Sequence, residues 1–240
     1  MKFCVCIKQV PDVQANVQTG RMVLNAYDAS AVEAALVLTE KYGGEVDVVL
    51  IGPDSAKETI RKALAMGAAS ATHYVTSENL DSWALSALLA DHVRSGSWDV
   101  VLAGKQSQDT DSGLTGSMLA ERLGWVYATN AVGLDMEDTH LLVTRQGDSG
   151  QEILSMPSPC LVTCSNDMNN PRIPSLKGIM AAKKKSIHER VPASLPESRV
   201  KTGAVRPPEP REPGRLLEGE PADMVAELVT RLRNEAGVLQ

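Results

Sequence analysis

Short apolar runs alternate with helix-patterned stretches from residue 3 to residue 104, and this rhythm constrains the fold more than any other feature. FCVCIKQV (3–10), EVDVVLIG (45–52), ATHYV (71–75) and WDVVLAG (98–104) read as strands. Between them lie NAYDASAVEAALVLTEKYGG (25–44), PDSAKETIRKALAMGA (53–68) and DSWALSALLADHVRSG (81–96), which read as helices. In the first helix Asp28 is the expected N-cap, Val32, Ala35, Leu36 and Thr39 mark one face, and Gly43 and Gly44 end it. Pro53, Asp54 and Ser55 open the second, and Gly67 closes it. Strand–helix alternation of this kind predicts an α/β fold: an open, mainly parallel sheet with right-handed crossovers and helices on both faces.

The second half breaks the rhythm. HLLVTRQGDSGQEILSM (140–156) reads as two short strands turning at Gly147 and Gly150, a small hairpin rather than a crossover. PCLVTCS (159–165) returns to a buried strand, followed by NNPRIPSLKGIMAAKKK (169–185). Seven of the thirteen prolines then fall between residues 192 and 221, among charges and without hydrophobic period, which predicts an extended arm with no core of its own. ADMVAELVTRLRNEAG (222–237) reads as a closing amphipathic helix with Val225, Leu228, Val229 and Leu232 on one stripe. The division expected is an α/β domain over residues 1–190 and an arm with its helix over 191–240. A helix at the end of such an arm needs a surface to dock on.

Composition narrows the function. A net charge of −6 offers no basic field for nucleic acid. No apolar run reaches membrane-spanning length, and MKFCVCIKQVPD lacks the pattern of a signal peptide, so a cytoplasmic protein that is not membrane-embedded is expected. Cys4, Cys6, Cys160 and Cys164 sit in strand-like runs whose spacing suits buried thiols better than a zinc site, so neither a metal nor a disulfide is expected. Eight aromatic residues in all (one Phe, four Tyr, three Trp) are few for a chain that stacks a flavin by itself, pointing to a cofactor shared with another subunit.

Ligands of an open parallel sheet gather beyond the carboxyl ends of its strands. The loops leaving those ends are Lys8–Asp12, Gly52–Ser55, Tyr74–Leu80 and Gly104–Gly116, and none carries a G-x-G-x-x-G or Walker A sequence. The 104–116 loop nevertheless suits an anion. Gly113 and Gly116 allow close backbone approach, Ser112, Thr115 and Ser117 supply hydroxyls, and a helix start supplies N–H donors. Asp111 or Ser112 could equally cap that helix, and Asp109 and Asp111 repel a bare phosphate. His73, His92, His140 and His188 fall in no nucleophile arrangement, and Lys183–Lys185 reads as a solvated helix end. Independent catalysis is not expected.

Taken together, KQVPD (8–12), NAYD…AVEAAL (25–36), GP…AKETIRKALAMGA (52–68), D-x-V-x-x-GKQ-x-x-D-x-D-x-G-x-TG (99–116), MLAERLGW (118–125) and NNPRIPSLKGIMAAKKK (169–185) resemble the beta (small) subunit of electron transfer flavoprotein, Fix-type relatives included. The resemblance implies a Rossmann-like fold of the adenine-nucleotide-binding type. It implies a non-catalytic electron-carrier subunit paired with an alpha subunit that carries most of the FAD site. It further implies one structural AMP in the beta subunit, with electrons collected from acyl-CoA or other dehydrogenases and passed to a quinone oxidoreductase or another acceptor. Carried over by motif, AMP is expected to touch Cys6, Lys8, Asn25, Ala26, Tyr27, Asp28, Ile51 and Gly52, and Ser107, Asp109, Asp111, Ser112, Gly113, Leu114, Thr115, Gly116, Ser117 and Met118. Pro174–Met180 resembles the family's recognition loop, with Leu176 as apolar anchor among Lys177, Gly178, Ile179 and Met180.

Three positions depart from the family pattern: Leu114 replaces a frequent Gln, Ala26 a frequent Pro, and Val13 an aromatic that some relatives place near the flavin. A second branch binds FAD in place of AMP and bifurcates electrons, but it favours R-Q-A-x-D-G-D where this chain has GKQSQDTD. Outside the family, the alternatives are an ATP-using adenylyl-transfer enzyme of the same fold and a self-dimerising nucleotide-binding module.

Overall fold

The computed structural model describes residues 1–12, 20–192, 194–204, 206, 209–211 and 213–238, so Val13 lies outside the described residues. The chain divides into two compact units, Met1–Lys201 and Thr202–Gln240.

In the first unit, β1 (Lys2–Ile7), β2 (Gln9–Pro11), β3 (Met22–Leu24), α1 (Ala26–Tyr42), β4 (Glu45–Gly52), α2 (Lys57–Met66), β5 (Ser70–Val75), α3 (Ser82–Arg94), β6 (Val100–Gly104) and α4 (Thr115–Leu123) follow the alternation read from the sequence. They are followed by β7 (Val126–Glu137), β8 (His140–Gly147), β9 (Gly150–Met156), β10 (Cys160–Cys164), α5 (Leu176–Lys184) and β11 (Ile187–Arg190). Nine strands form one sheet in the order β11-β5-β4-β1-β6-β10-β7-β8-β9, and β2 and β3 pair separately. From β11 to β7 all pairings are parallel, while β7–β8 and β8–β9 are antiparallel. The hairpin expected at 140–156 is β8–β9.

Side-chain alternation along β1 shows how the sheet is covered. Phe3, Val5 and Ile7 join Val32 and Leu36 of α1 and Ile60 and Leu64 of α2 in one core. Cys4 and Cys6 point the other way and join Leu89 and Val93 of α3 and Leu119 of α4. Each fully buried leucine among these contributes about 1.5–3 kcal/mol.

Four local expectations are corrected. The run 3–10 is broken at Lys8, where the chain leaves the main sheet for the small β2–β3 ribbon. Asn25, not Asp28, is the N-cap of α1, and Asp28 is buried inside the first turn. Neither Asp111 nor Ser112 caps α4, whose N-cap is Leu114. The expected surface loop at 174–180 is the start of α5, because Ser175 accepts a hydrogen bond from the Gly178 N–H at 3.1 Å and so nucleates a helix at Leu176.

The second unit holds α6 (Pro221–Asn234), with Pro at its first turn. None of its side chains is buried, and Val225, Leu228 and Val229 stay exposed. Glu227 and Glu235 flank Arg231 at i−4 and i+4, with oxygen–nitrogen distances of 2.7 and 3.4 Å.

Candidate functional site

Chain order reverses between β1 and β6: β4 and β5 build outward from β1, and β7 to β10 build the other way from β6, before β11 returns to the far edge beside β5. A crevice opens at the carboxyl ends of strands where such a reversal occurs. The residues expected at the nucleotide converge here. Cys6 lies in register with Val49 and Ala103, so Lys8, Ile51–Gly52 and Gly104 leave the sheet side by side.

Asp28 ties the crevice together. Its carboxylate accepts the N–H of Lys8 at 2.7 Å and of Gly104 at 3.0 Å, joining the ends of β1 and β6 to the start of α1. Burial pushes its pKa up to about 7 against those hydrogen bonds and one from Asn25. A Cβ at Gly104 would stand 2.3 Å from Asp28 Oδ1, so only glycine lets α1 approach this closely. Asn25 extends the tie: its Nδ2 donates to the Gln106 carbonyl at 2.8 Å, and its Oδ1 accepts the Gln108 N–H at 3.2 Å.

The two carboxylates of the long loop each accept hydrogen bonds. Lys8 Nζ lies 2.8 Å from both oxygens of Asp109 and 3.2 Å from Ser107 Oγ. Partial burial works to raise Asp109, but the bonds from Lys8 and Ser107 outweigh it and hold the carboxyl below the ordinary range. Asp111, at φ 49°, accepts from Gln106 Nε2 at 2.9 Å. The Lys8 ammonium offsets the charge of Asp109, which weakens its repulsion toward an anion, while Asp111 is hydrogen-bonded by a neutral amide.

The start of α4 fits a phosphate. With Leu114 as N-cap, no side chain caps the first-turn amides. Gly113 turns at φ 62°, and Gly116 packs so tightly that a Cβ would lie 2.4 Å from Thr163 Cγ2. The hydroxyls of Ser112 and Thr115 sit 3.4 and 3.1 Å from Ser82 Oγ at the start of α3. Ser117 and Met118 follow in the first turn of α4, while Ala26 and Tyr27 open α1, where the Ala26 N–H donates to Gln108 Oε1 at 3.3 Å.

Leu176, Lys177, Gly178, Ile179 and Met180 lie away from this crevice, on α5. Leu176 is 78% exposed at the first helical position, and a Cβ at Gly178 would meet the Ala65 carbonyl at 2.5 Å, so α5 rests closely on α2. Arg61 fastens the pair by donating to the carbonyls of Ala182 and Lys185, and Lys185 Nζ donates to the Ala68 carbonyl. One end of the basic run is therefore a helix staple rather than solvated charge.

The four cysteines are free and buried. Cys4 and Cys6 belong to one face of the sheet, Cys160 and Cys164 to the other, so they cannot form one four-thiolate site. Burial pushes Cys160 up to about 12 and Cys164 higher still. Among the described residues no group of three or more His, Cys, Asp or Glu is placed to hold a metal ion. His73 bonds the Gly52 carbonyl at 3.2 Å, His92 packs edge-on to Tyr74, and His140 and His188 are exposed.

Comparison with known proteins decides the family. An electron transfer flavoprotein domain matches residues 15–195. The electron transfer flavoprotein subunit beta of Bradyrhizobium diazoefficiens is 38% identical over the full length of both chains, and that of Bacillus subtilis 33%, also over full length. The caffeyl-CoA reductase-Etf complex subunit CarD of Acetobacterium woodii is 41% identical, over 76% of this chain and 75% of its own. The chain belongs to the electron transfer flavoprotein beta-subunit family.

Membership in the electron transfer flavoprotein family makes the chain an electron-carrier subunit, associates it with flavin, and implies an alpha subunit as its heterodimer partner. No described helix is long and apolar enough to cross a membrane. Motif spacing did not single out Gln106, Gln108, Ser82 or Asp81 at the rim. Apart from the local Gln106–Asp111 and Asp81–Ala84 bonds, their partners lie 30 or more residues away, so only the fold brings them together.

Proposed function

We propose that this chain holds one AMP at the β1–β6 crevice as a structural element, and pairs with an alpha subunit carrying most of the FAD site. The heterodimer takes electrons from acyl-CoA or other dehydrogenases and delivers them to a quinone oxidoreductase or other acceptor. The observation that carries the AMP reading is the start of α4: first-turn amides without a side-chain cap, reached by Gly113 at positive φ and the close-packed Gly116, at the reversal of strand order. The 5′-phosphate would lie on those amides beside Ser112, Thr115 and Ser117. Ribose and adenine would lie among Cys6, Lys8, Asn25–Asp28 and Ile51–Gly52.

The redox chemistry belongs to the FAD of the heterodimer; this chain's residues bind and position. Bound there, AMP would be held by residues at the ends of β1, β4 and β6 and at the start of α4, and a ligand bound only by the folded state stabilises it by mass action. Lys8 argues against ATP chemistry: its ammonium is held by Asp109 and Ser107, leaving it poorly placed to serve a triphosphate. Leu176, exposed on α5, is the anchor for a partner dehydrogenase. Expression with and without the alpha subunit tests the assignment. The chain alone should be colourless, and the pair should purify as a yellow 1:1 complex reducible by a dehydrogenase; a yellow, redox-active chain without its partner contradicts it.

A further inference from the structure

Beyond β11 the chain does not leave the rim of the sheet at once. Val191, Pro192 and Leu195 line a cleft of about 480 Å³ with Pro53, Asp54 and Val75–Glu78, at the carboxyl ends of β4 and β5. Residues 198–200 then reach the start of α3. Asp81 Oδ2 accepts the N–H groups of Arg199 at 2.7 Å and Val200 at 2.8 Å, and the Asp81 N–H donates to Ser198 Oγ at 3.1 Å. The Arg199 guanidinium lies 3.9 Å from the centre of the Trp83 ring, and Arg122 lies 4.0 Å from it. Arg122 is held in turn by Ser86 Oγ at 2.9 Å and the Trp83 carbonyl at 3.2 Å. Cation–π contacts of this kind favour keeping the indole covered.

This latch adjoins the phosphate cradle. Ser82, next to Asp81, is the residue whose hydroxyl meets Ser112 and Thr115. A cleft of about 610 Å³ lined by Trp83, Glu197, Ser198, Arg199 and Lys201 opens beside it, and the strap forms most of its wall. On the AMP reading a 5′-phosphate at the start of α4 would lie beside Ser82, and on that side the strap would bound any extension beyond the phosphate. We propose that the strap at residues 197–201, latched by Asp81 and by Arg199 on Trp83, restricts the crevice to a mononucleotide and excludes adenine nucleotides extended beyond the 5′-phosphate. This rests on the AMP reading above. Released from the strap, the indole of Trp83 becomes a stacking platform for an extended ligand's second ring.

The two oxygens of Asp81 divide the labour, which gives a clean variant. Oδ1 caps α3 by accepting the Ala84 N–H at 2.9 Å, and Oδ2 holds the strap. Asp81→Ser retains a capping hydroxyl and loses the carboxylate's two bonds to the strap at Arg199 and Val200. Arg199→Ala removes the strap's own cover from Trp83, leaving Arg122 in place and the cap untouched, and serves if the first variant folds poorly. Displacement of bound AMP from the intact heterodimer is measured with AMP, ADP-ribose and FAD as competitors. Wild type should favour AMP over ADP-ribose by about tenfold or more, and both variants should narrow that preference by about threefold or more. An unchanged preference, or an equal loss of affinity for both competitors, overturns the strap's role while leaving the AMP reading intact. A wild-type heterodimer releasing no adenylate defeats that reading first and this inference with it.

Discussion

The carboxylate of Asp28 is buried between the N–H groups of Lys8 and Gly104, where a charge is expensive but two donors are waiting. Its rise from 3.8 to about 7 corresponds to roughly 4 kcal/mol against the ionised form. Between about pH 4 and pH 7 the folded chain therefore binds more protons than the unfolded one, and this group's effect on stability worsens as pH rises through that window. The neighbours sharing its field are Lys8 and the Cys164 thiol, itself pushed up by burial and by Asp28. Asp28→Asn turns one donor pair face to face, so it should destabilise by about 1–3 kcal/mol at pH 5. That deficit should shrink by pH 8, as read by urea unfolding at fixed protein concentration; a deficit growing with pH would mean that Asp28 is stabilised as the anion. Gly116→Ala should cost about 1–3 kcal/mol through the Thr163 contact and lower the adenylate content of the purified heterodimer. At this scale the sequence was half legible. Motif matching found Asp28, but helix rules made it a cap, because they cannot foresee a β6 backbone N–H from 76 residues away.

Among the elements, α5 and β7 show where pattern reading succeeds and fails. The parallel core was legible because β1, β4 and β6 are compact apolar runs, and a helix-patterned stretch separates each from the next strand of the parallel sheet. The twelve residues of β7 are mixed, half-exposed and interrupted by Asn130 at φ 58° and by Gly133, so they show neither period. β10, later in the chain, inserts between β6 and β7, a placement fixed by register rather than composition. In PSLKGIM, Pro174 and Gly178 suggest a loop, yet Ser175 caps a helix and Gly178 is the point where α5 meets α2. The consequence is a rigid platform for Leu176. Leu176→Ala should leave stability within about 0.5 kcal/mol, because the side chain is already exposed. It should slow electron transfer from a partner dehydrogenase without loss of flavin; unchanged steady-state kinetics would remove the anchor role. Arg61→Ala should cost about 1–3 kcal/mol by leaving the carbonyls of Ala182 and Lys185 without their donor, seen as a lower urea midpoint.

Over the whole molecule, every strand of the described chain lies within Met1–Lys201, whereas Thr202–Gln240 contributes one helix with no buried side chain. The first unit has a core on both sheet faces and should fold after truncation at Lys201, with a cooperative thermal transition. The exposed stripe of Val225, Leu228 and Val229 is read as the alpha subunit's docking face, so the truncated chain should fail to co-purify with alpha; an intact complex would assign that stripe elsewhere. The claim on which the rest depends is that the β1–β6 crevice holds a mononucleotide as scaffolding for a flavin-bearing partner. Heat release and identification of the nucleotides in the native heterodimer test it most directly. One AMP and one FAD per heterodimer are predicted; two FAD would place the chain in the bifurcating branch and contradict the AMP assignment, and FAD with no adenylate at the crevice would contradict the site itself.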